Sequence, residues 1–514
     1  MRPGQVVLRV TPLLLAALVG FAVIDGEFVY DDPSALIESP IVTGEAPLWE
    51  AVTRDFWGRS AREGFTTWRP LMPMIWAQLW TWWPDDPLPF RILGVLLHVL
   101  AVGLGMRFVY RLRPSDGAAA AVGTLFALHP LNTEAVSAIV AQADVLSLCG
   151  VLVACTLALG APRIGNGVAS AAMLLLAALA KESAVVFTPL IALLFSLRGT
   201  AWKTRFVAAF PATLVGGAVI VFQLSLPRAP GIAMMTSNLA HHAEGAMRVW
   251  LGLYNIGRSL VMTVWPWPIA PNHGYAAVEL YPSTLAPFAA IGAILLVIGI
   301  AAGVWAIRRR RLDWIAALSF LYAPALLQSH WFVRLITDLA ERLLYPSVLG
   351  ISMVVTFAIL QVIPKPGLRA AAVATCALVS CAVSFEPRRA WTDEDALWSY
   401  AVRVGPRSAI HHRNVSNTLF RAGIVDQGAY HRLVYRYLIE RFPDPVAWEV
   451  IEGSSEESPT ERFTSLPATL SPGDPCPLVR AFAGRATEHA PLYAFVLQHW
   501  APRYPQCGPW RDVP

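Results

Sequence analysis

Apolar residues come in long, nearly unbroken runs along this chain, and the polar residues gather between them. A membrane crossing takes about 20 predominantly apolar residues, fewer where helix ends dip below the surface. On that measure eleven runs read as spanning helices, roughly 8–24, 88–110, 116–131, 143–160, 166–180, 184–197, 206–225, 284–306, 313–329, 343–362 and 367–384. The runs at 166–180 and 184–197 approach the length of a re-entrant hairpin. The stretch Trp250 to Trp267 closes on Trp-Pro-Trp-Pro and reads as an interfacial or re-entrant helix, because proline breaks a helix there. Counting it as a span would also move the run Arg308 to Arg311 to the face opposite the other basic connections.

The pattern therefore predicts an all-α polytopic membrane protein. Residues 1–384 form a bundle of about eleven transmembrane helices, with outer loops at 25–87 and 226–283, and residues 385–514 form a small, mainly helical domain. Alternate short connections carry Arg111 and Arg113, Arg163, then Arg198, Lys203 and Arg205, then Arg308 to Arg311, then Lys365 and Arg369. Basic residues concentrate on the cytoplasmic side, which places the N-terminus inside and the C-terminal domain outside. Arg2 and Arg9 precede the first run and no small-x-small cleavage pattern follows it, so the run reads as an uncleaved anchor.

Composition agrees with a bilayer: 55% of the 514 residues are hydrophobic and 15% charged. The net charge of +5 is scattered and forms no basic stripe, which argues against a nucleic-acid partner. Four cysteines, Cys149, Cys155, Cys376 and Cys381, fall in apolar runs and read as packing residues. Cys476 and Cys507 lie in the polar tail and are candidates for a disulfide on an oxidising side.

The candidate chemistry all falls on the outer face. Asp31 and Asp32 follow the first span within a few residues; a carboxylate at a partly dry membrane surface can act as general base, or hold a divalent metal. The alternative is a capped turn in solvent. Arg69 closes the same loop and suits phosphate. His129, Glu134 and Asp144 flank the third and fourth spans, where charge is costly unless it faces a polar cavity, and His129 joins the candidate contacts to a donor phosphate. Lys181-Glu182 and Glu341-Arg342 are adjacent pairs that need external partners, with Lys181 and Arg342 as phosphate contacts oriented by Glu182 and Glu341.

The ordered set Phe28-Val-Tyr-Asp-Asp-Pro, Ser39-Pro-Ile-Val, Asp55-Phe-Trp-Gly, Trp68-Arg-Pro-Leu, His129-Pro-Leu-Asn-Thr-Glu-Ala-Val, Ala143-Asp-Val-Leu, Leu179-Ala-Lys-Glu and Ala340-Glu-Arg-Leu-Leu-Tyr-Pro-Ser resembles the transmembrane and TPR-repeat protein O-mannosyltransferases and their bacterial relatives among the GT-C glycosyltransferases. The resemblance covers roughly residues 20 to 400. It implies a GT-C-like bundle in a plasma (inner) membrane and a polyprenyl-phosphate sugar donor, mannose or a similar hexose. It also implies an acceptor hydroxyl on the outer side, Asp31 or Asp32 as base of an inverting transfer, and Tyr30, Arg69, His129, Glu134 and Lys181 nearby. Metal dependence stays open. The family's usual Asn-Pro reads Ser39-Pro40 and its Gly-Arg reads Ala141-Gln142, so one positive charge is missing; its long TPR array is also missing, with only 396 to 440 weakly repeat-like before a Pro-rich tail. A transporter or flippase, or a non-catalytic assembly protein, are the rival readings.

Overall fold

The structure is a computed structural model that describes residues 3–60, 67–198, 201–226, 240, 243–273, 282–335, 337–422, 424, 428, 431–432, 435 and 505–508. In chain order the helices are α1 (Pro3–Phe21), α2 (Asp32–Leu36), α3 (Leu71–Trp82), α4 (Pro87–Leu112), α5 (Asp116–Leu128), α6 (Asn132–Ser137), α7 (Gln142–Ala158), α8 (Ile164–Ala180), α9 (Thr188–Arg198), α10 (Trp202–Ser225), α11 (Gly245–Met262), α12 (Pro282–Arg308), α13 (Leu312–Leu327), α14 (Tyr345–Val362), α15 (Pro366–Arg389), α16 (Glu394–Val404) and α17 (Ala409–Arg421). Every predicted span holds a helix. Among the described residues, six are long and apolar enough to cross a membrane, and α5, α7, α8 and α13 are apolar but shorter. The chain is an all-α polytopic membrane protein.

The short helices stop where charge begins. α5 ends at His129, whose extended backbone is the conformation required of a residue preceding proline, here Pro130. α8 ends at Lys181, and a short 3₁₀ helix, Glu182–Phe187, turns the chain into α9. Other ends follow familiar capping chemistry: Asp86 accepts from the Leu88 amide ahead of Pro87, and Ser115 accepts from the Ala118 amide.

A large apolar core joins α1, α4, α5, α7, α8, α9, α13 and α14. The segment between α1 and α4 has its own core, Leu36, Val42, Phe56, Met72, Trp76 and Trp80 against Phe90, Ile139 and Val140. Gln142, where the resembled family carries a positive charge, is buried here: it accepts from the Trp76 indole at 3.0 Å and donates to the Phe90 carbonyl at 2.6 Å. It binds loop to bundle and offers no charge to a ligand.

α11 differs from a simple loop segment. It packs on α12 so closely that a Cβ on Gly257 would stand 2.1 Å from the Phe288 carbonyl oxygen, and one on Gly292 2.0 Å from that of Leu253. Small residues allow this backbone approach. Arg9 of α1 pairs with Asp116 of α5 at 2.9 Å, and Asp313 meets both Arg311 at 3.0 Å and Arg113 at 3.6 Å, which joins the connection after α4 to the one before α13. Cys149 and Cys155 are buried, whereas Cys376 and Cys381 are exposed on α15; the packing reading fails for these two because α15 is peripheral and little of it is covered. Cys507 is disulfide-bonded; Cys476 lies outside the described residues, as does most of the tail beyond α17.

Candidate active site

Loop 1 enters the bundle at a turn whose backbone is tied from three sides. Arg91, buried near the start of α4, donates to the carbonyls of Gly26 (2.9 Å), Ser137 (3.2 Å) and Trp391 (3.2 Å), and also to that of Glu27. Tyr30 then takes a left-handed conformation, φ 60°, and the two acidic residues diverge at once.

Asp32 points inward and is fully buried, accepting from the amides of Val29 at 3.3 Å and Val140 at 3.0 Å. It fastens loop 1 to the segment ahead of α7. Burial pushes its pKa up to about 7, against the pull of those two amides and of Arg91. Asp31 points the other way. Its side chain keeps 29% of its exposure, stands 4.0 Å from Arg342, and accepts no hydrogen bond among the described residues. Its pKa is raised by burial within the cleft, opposed by the charges of Arg342 and Arg413.

Three cations lie close enough to act on one another's charge, each held by an acid from another part of the chain. The Arg342 guanidinium pairs with Glu134 of α6 at 2.5 Å, and the Arg342 amide donates to the other Glu134 oxygen at 2.9 Å. Lys181 reaches both oxygens of Asp144 on α7 at 2.5 Å. Arg69 forks onto Glu182 with two bonds of 2.7 Å and lies over the Phe56 ring at 5.3 Å. The cations sense one another: Lys181 is pushed down to about 8 by burial in the first place, and by Arg69 and Arg342, with Asp144 opposing. Glu182 is pulled down to about 2 because Arg69 outweighs the effect of burial.

This pairing corrects two expectations. Glu182 orients Arg69 and not Lys181, and Glu341 does not orient Arg342. Glu341 is buried, accepts from the Ala270 amide at 2.7 Å and meets His273 at 2.7 Å, so it holds the loop after α11. Adjacent residues diverge, and both partners had to come from elsewhere in the chain. His129 also departs from the phosphate-contact reading. Its Nδ1 accepts from the Leu131 amide at 3.2 Å and its Nε2 donates to the Thr263 carbonyl at 3.0 Å, so neither nitrogen is left for a ligand.

Sequence reasoning passed over Arg91, Asn272 and Glu394. Asn272 hydrogen-bonds the Tyr30 hydroxyl from the loop after α11, and Glu394 accepts the Tyr30 amide at 2.8 Å from the first turn of α16. A buried arginine at a helix start was the one available signal; the other two carry none. Among the described residues no group of three or more His, Cys, Asp or Glu is arranged to hold a metal ion.

The fold defines a polytopic membrane protein with a cluster of charged side chains between its helices, in which the partly exposed carboxylate of Asp31 stands 4.0 Å from the tethered Arg342. Over part of its length the chain resembles the protein O-mannosyl-transferases. It is 34% identical over 135 residues to Protein O-mannosyl-transferase Tmtc1 of Drosophila melanogaster, covering 26% of this chain and 16% of that protein. To human Protein O-mannosyl-transferase TMTC1 it is 36% identical over 131 residues, 24% of this chain and 14% of that one. Each aligned stretch thus spans less than a fifth of the relative's length. No family model matches the chain. Among solved structures, ArnT from Cupriavidus metallidurans bound to undecaprenyl phosphate aligns over 99% of this chain and 89% of its own, with 17% identity and a TM-score of 0.40.

Proposed function

We propose that this protein is a membrane glycosyltransferase that moves mannose or a similar hexose from a polyprenyl phosphate to an acceptor hydroxyl on the outer side of the membrane. The observation that carries the reading is the contrast within the acidic pair: Asp32 is spent on two backbone amides, while Asp31 stands open and unbonded 4.0 Å from Arg342. An open carboxylate next to a tethered cation suits a general base whose ionised form must persist at ordinary pH. The resemblance to O-mannosyl-transferases points the same way.

In this reading the acceptor oxygen forms a bond to the anomeric carbon as the bond from that carbon to the phosphate oxygen breaks. The electron pair leaves with the phosphate, the acceptor proton passes to Asp31, and the configuration inverts. Arg342, Lys181 and Arg69 place positive charge where the departing phosphate gathers negative charge, and their acid partners hold them in place before the reaction starts. His129, Glu341 and Asp32 shape the cleft walls. Residues 1–384 form the catalytic bundle and 385–514 a C-terminal domain on the acceptor side, with the N-terminus cytoplasmic.

The test is incubation of the purified full-length protein with labelled undecaprenyl-phosphate mannose, following release of undecaprenyl phosphate with and without Ser/Thr peptides. Release that disappears in Asp31→Asn supports the reading. A flippase moves the intact donor between leaflets and releases nothing, and an assembly protein does neither; either outcome overturns it.

A further inference from the structure

The turn that presents Asp31 is built partly by the far end of the chain. Tyr30 sits in a left-handed conformation, uncommon for an aromatic residue. Such a conformation persists where its surroundings over-determine it. Here the surroundings come from residues 391–398. The Tyr30 amide donates to Glu394 Oε1 at 2.8 Å across 364 residues, and Glu394 Oε2 accepts from the Trp398 indole. The Tyr30 ring meets Trp398 edge-on at 5.1 Å and Trp391 at 6.3 Å. One step upstream, the Glu27 amide donates to the Thr392 carbonyl at 2.8 Å.

Glu394 does not cap its own helix, and only its Oε2 meets a residue of that helix, Trp398. The cap of α16 is Asp393, whose side chain accepts from the Ala396 amide at 2.7 Å. The Glu394 carboxylate turns away from that helix end and meets the loop-1 turn. Val29, Trp391, Leu397, Trp398 and Val415 form one small buried core beneath it, which seats α16 and α17 on the turn.

We propose that Glu394 is a positioning residue, whose carboxylate holds the Tyr30 backbone in the turn that aims Asp31 at Arg342, so that the first helix pair after the bundle is a working part of the site. The inference rests on the reading of Asp31 as base. It assigns the C-terminal segment a duty inside the transfer step, apart from any role in meeting an acceptor.

The charged and titratable groups around Asp31 are Arg342, Arg413, Tyr30, Asp32 and, through Arg342, Glu134. If the turn relaxes, Asp31 drifts from Arg342, loses the charge that favours its ionised form, and titrates at higher pH. The experiment compares full-length wild type, Glu394→Ala and Glu394→Gln, measuring kcat and KM for undecaprenyl-phosphate mannose across pH, with thermal unfolding as a control. Glu394→Ala is expected to lower kcat about 100-fold, the scale of a misplacement near 1 Å, with KM little changed and the acid limb of kcat moved up. Glu394→Gln has one oxygen for two N–H donors and is expected to fall in between, about tenfold below wild type on the same scale. A role confined to folding lowers the unfolding temperature and leaves kcat per folded molecule and the acid limb in place. Glu394→Gln with wild-type kcat and acid limb overturns the proposal, whether or not Glu394→Ala folds. If Asp31→Asn also keeps full turnover, the reading of Asp31 itself has failed; if Asp31→Asn is inactive, only the positioning role falls.

Discussion

Neutralising Arg342 separates its two duties. Its guanidinium is 2.5 Å from Glu134, which is 1% exposed, and 4.0 Å from Asp31. Two unit charges at 4 Å attract by about 1 kcal/mol in water and about 4 kcal/mol at the effective dielectric typical of protein sites. Losing an attraction of that size, Asp31 in Arg342→Gln should titrate at higher pH than in the wild type. Asp31 works in its ionised form, and Arg342 favours that form, so removing the arginine moves the acid limb of kcat upward, and activity lost at low pH returns as pH rises. The same change strands Glu134 as a buried, unpaired carboxylate, which destabilises by about 3 to 5 kcal/mol. Glu134→Gln/Arg342→Gln removes that orphan. The double variant should therefore unfold at a higher temperature than Arg342→Gln alone while keeping the displaced acid limb. The assay is undecaprenyl phosphate release across pH, paired with thermal unfolding in detergent. An acid limb that stays in place in both variants refutes the claim that Arg342 acts on the reacting carboxylate.

Three further outcomes follow from the same geometry. Lys181→Met leaves Asp144 buried and unpaired and should cost about 3 to 5 kcal/mol; adding Asp144→Asn should restore much of the unfolding temperature without restoring turnover, and recovered turnover would remove Lys181 from the site. Glu182 has its pKa held near 2, below the unfolded value of about 4.3, so its stabilising contribution is present above that unfolded value and is lost as pH falls toward 2. The unfolding-temperature gap between wild type and Arg69→Gln should accordingly shrink over that range, and a gap that stays constant would count against the pair. Gly257→Ala forces a Cβ against the Phe288 carbonyl and should destabilise by about 1 to 3 kcal/mol, read by thermal unfolding, with unchanged stability showing that α11 and α12 do not pack so closely.

Much of this was legible along the chain. Hydrophobic run length placed a helix in each of the eleven runs, because burial in lipid demands that pattern over a whole segment. The helix ends were less evenly legible: the end of α8 at Ala180 matches the apolar run, whereas α5 stops at Leu128, short of the run to 131, because His129 precedes a proline. Adjacent acids and bases marked the cleft residues and their need for external partners, yet the sequence could not name those partners and gave Glu182 and Glu341 the task of orienting Lys181 and Arg342. Folding pairs them with Asp144, Arg69, His273 and Glu134 instead. Neighbours along a chain point apart, and the partners that satisfy buried charge come from wherever the fold brings them. For the same reason Asp31 and Asp32 were interchangeable in one dimension, and the hold of Glu394 on Tyr30, 364 residues away, left no trace in local pattern.

The most direct measurement is undecaprenyl phosphate release by Asp31→Asn and Asp32→Asn, each purified at full length and compared with wild type. Asp31→Asn should fold normally and turn over at background, while Asp32→Asn, which keeps one acceptor for its two amides, should lose stability and retain measurable turnover. Wild-type turnover in Asp31→Asn, or loss confined to Asp32→Asn, would contradict the assignment of the open carboxylate as the base.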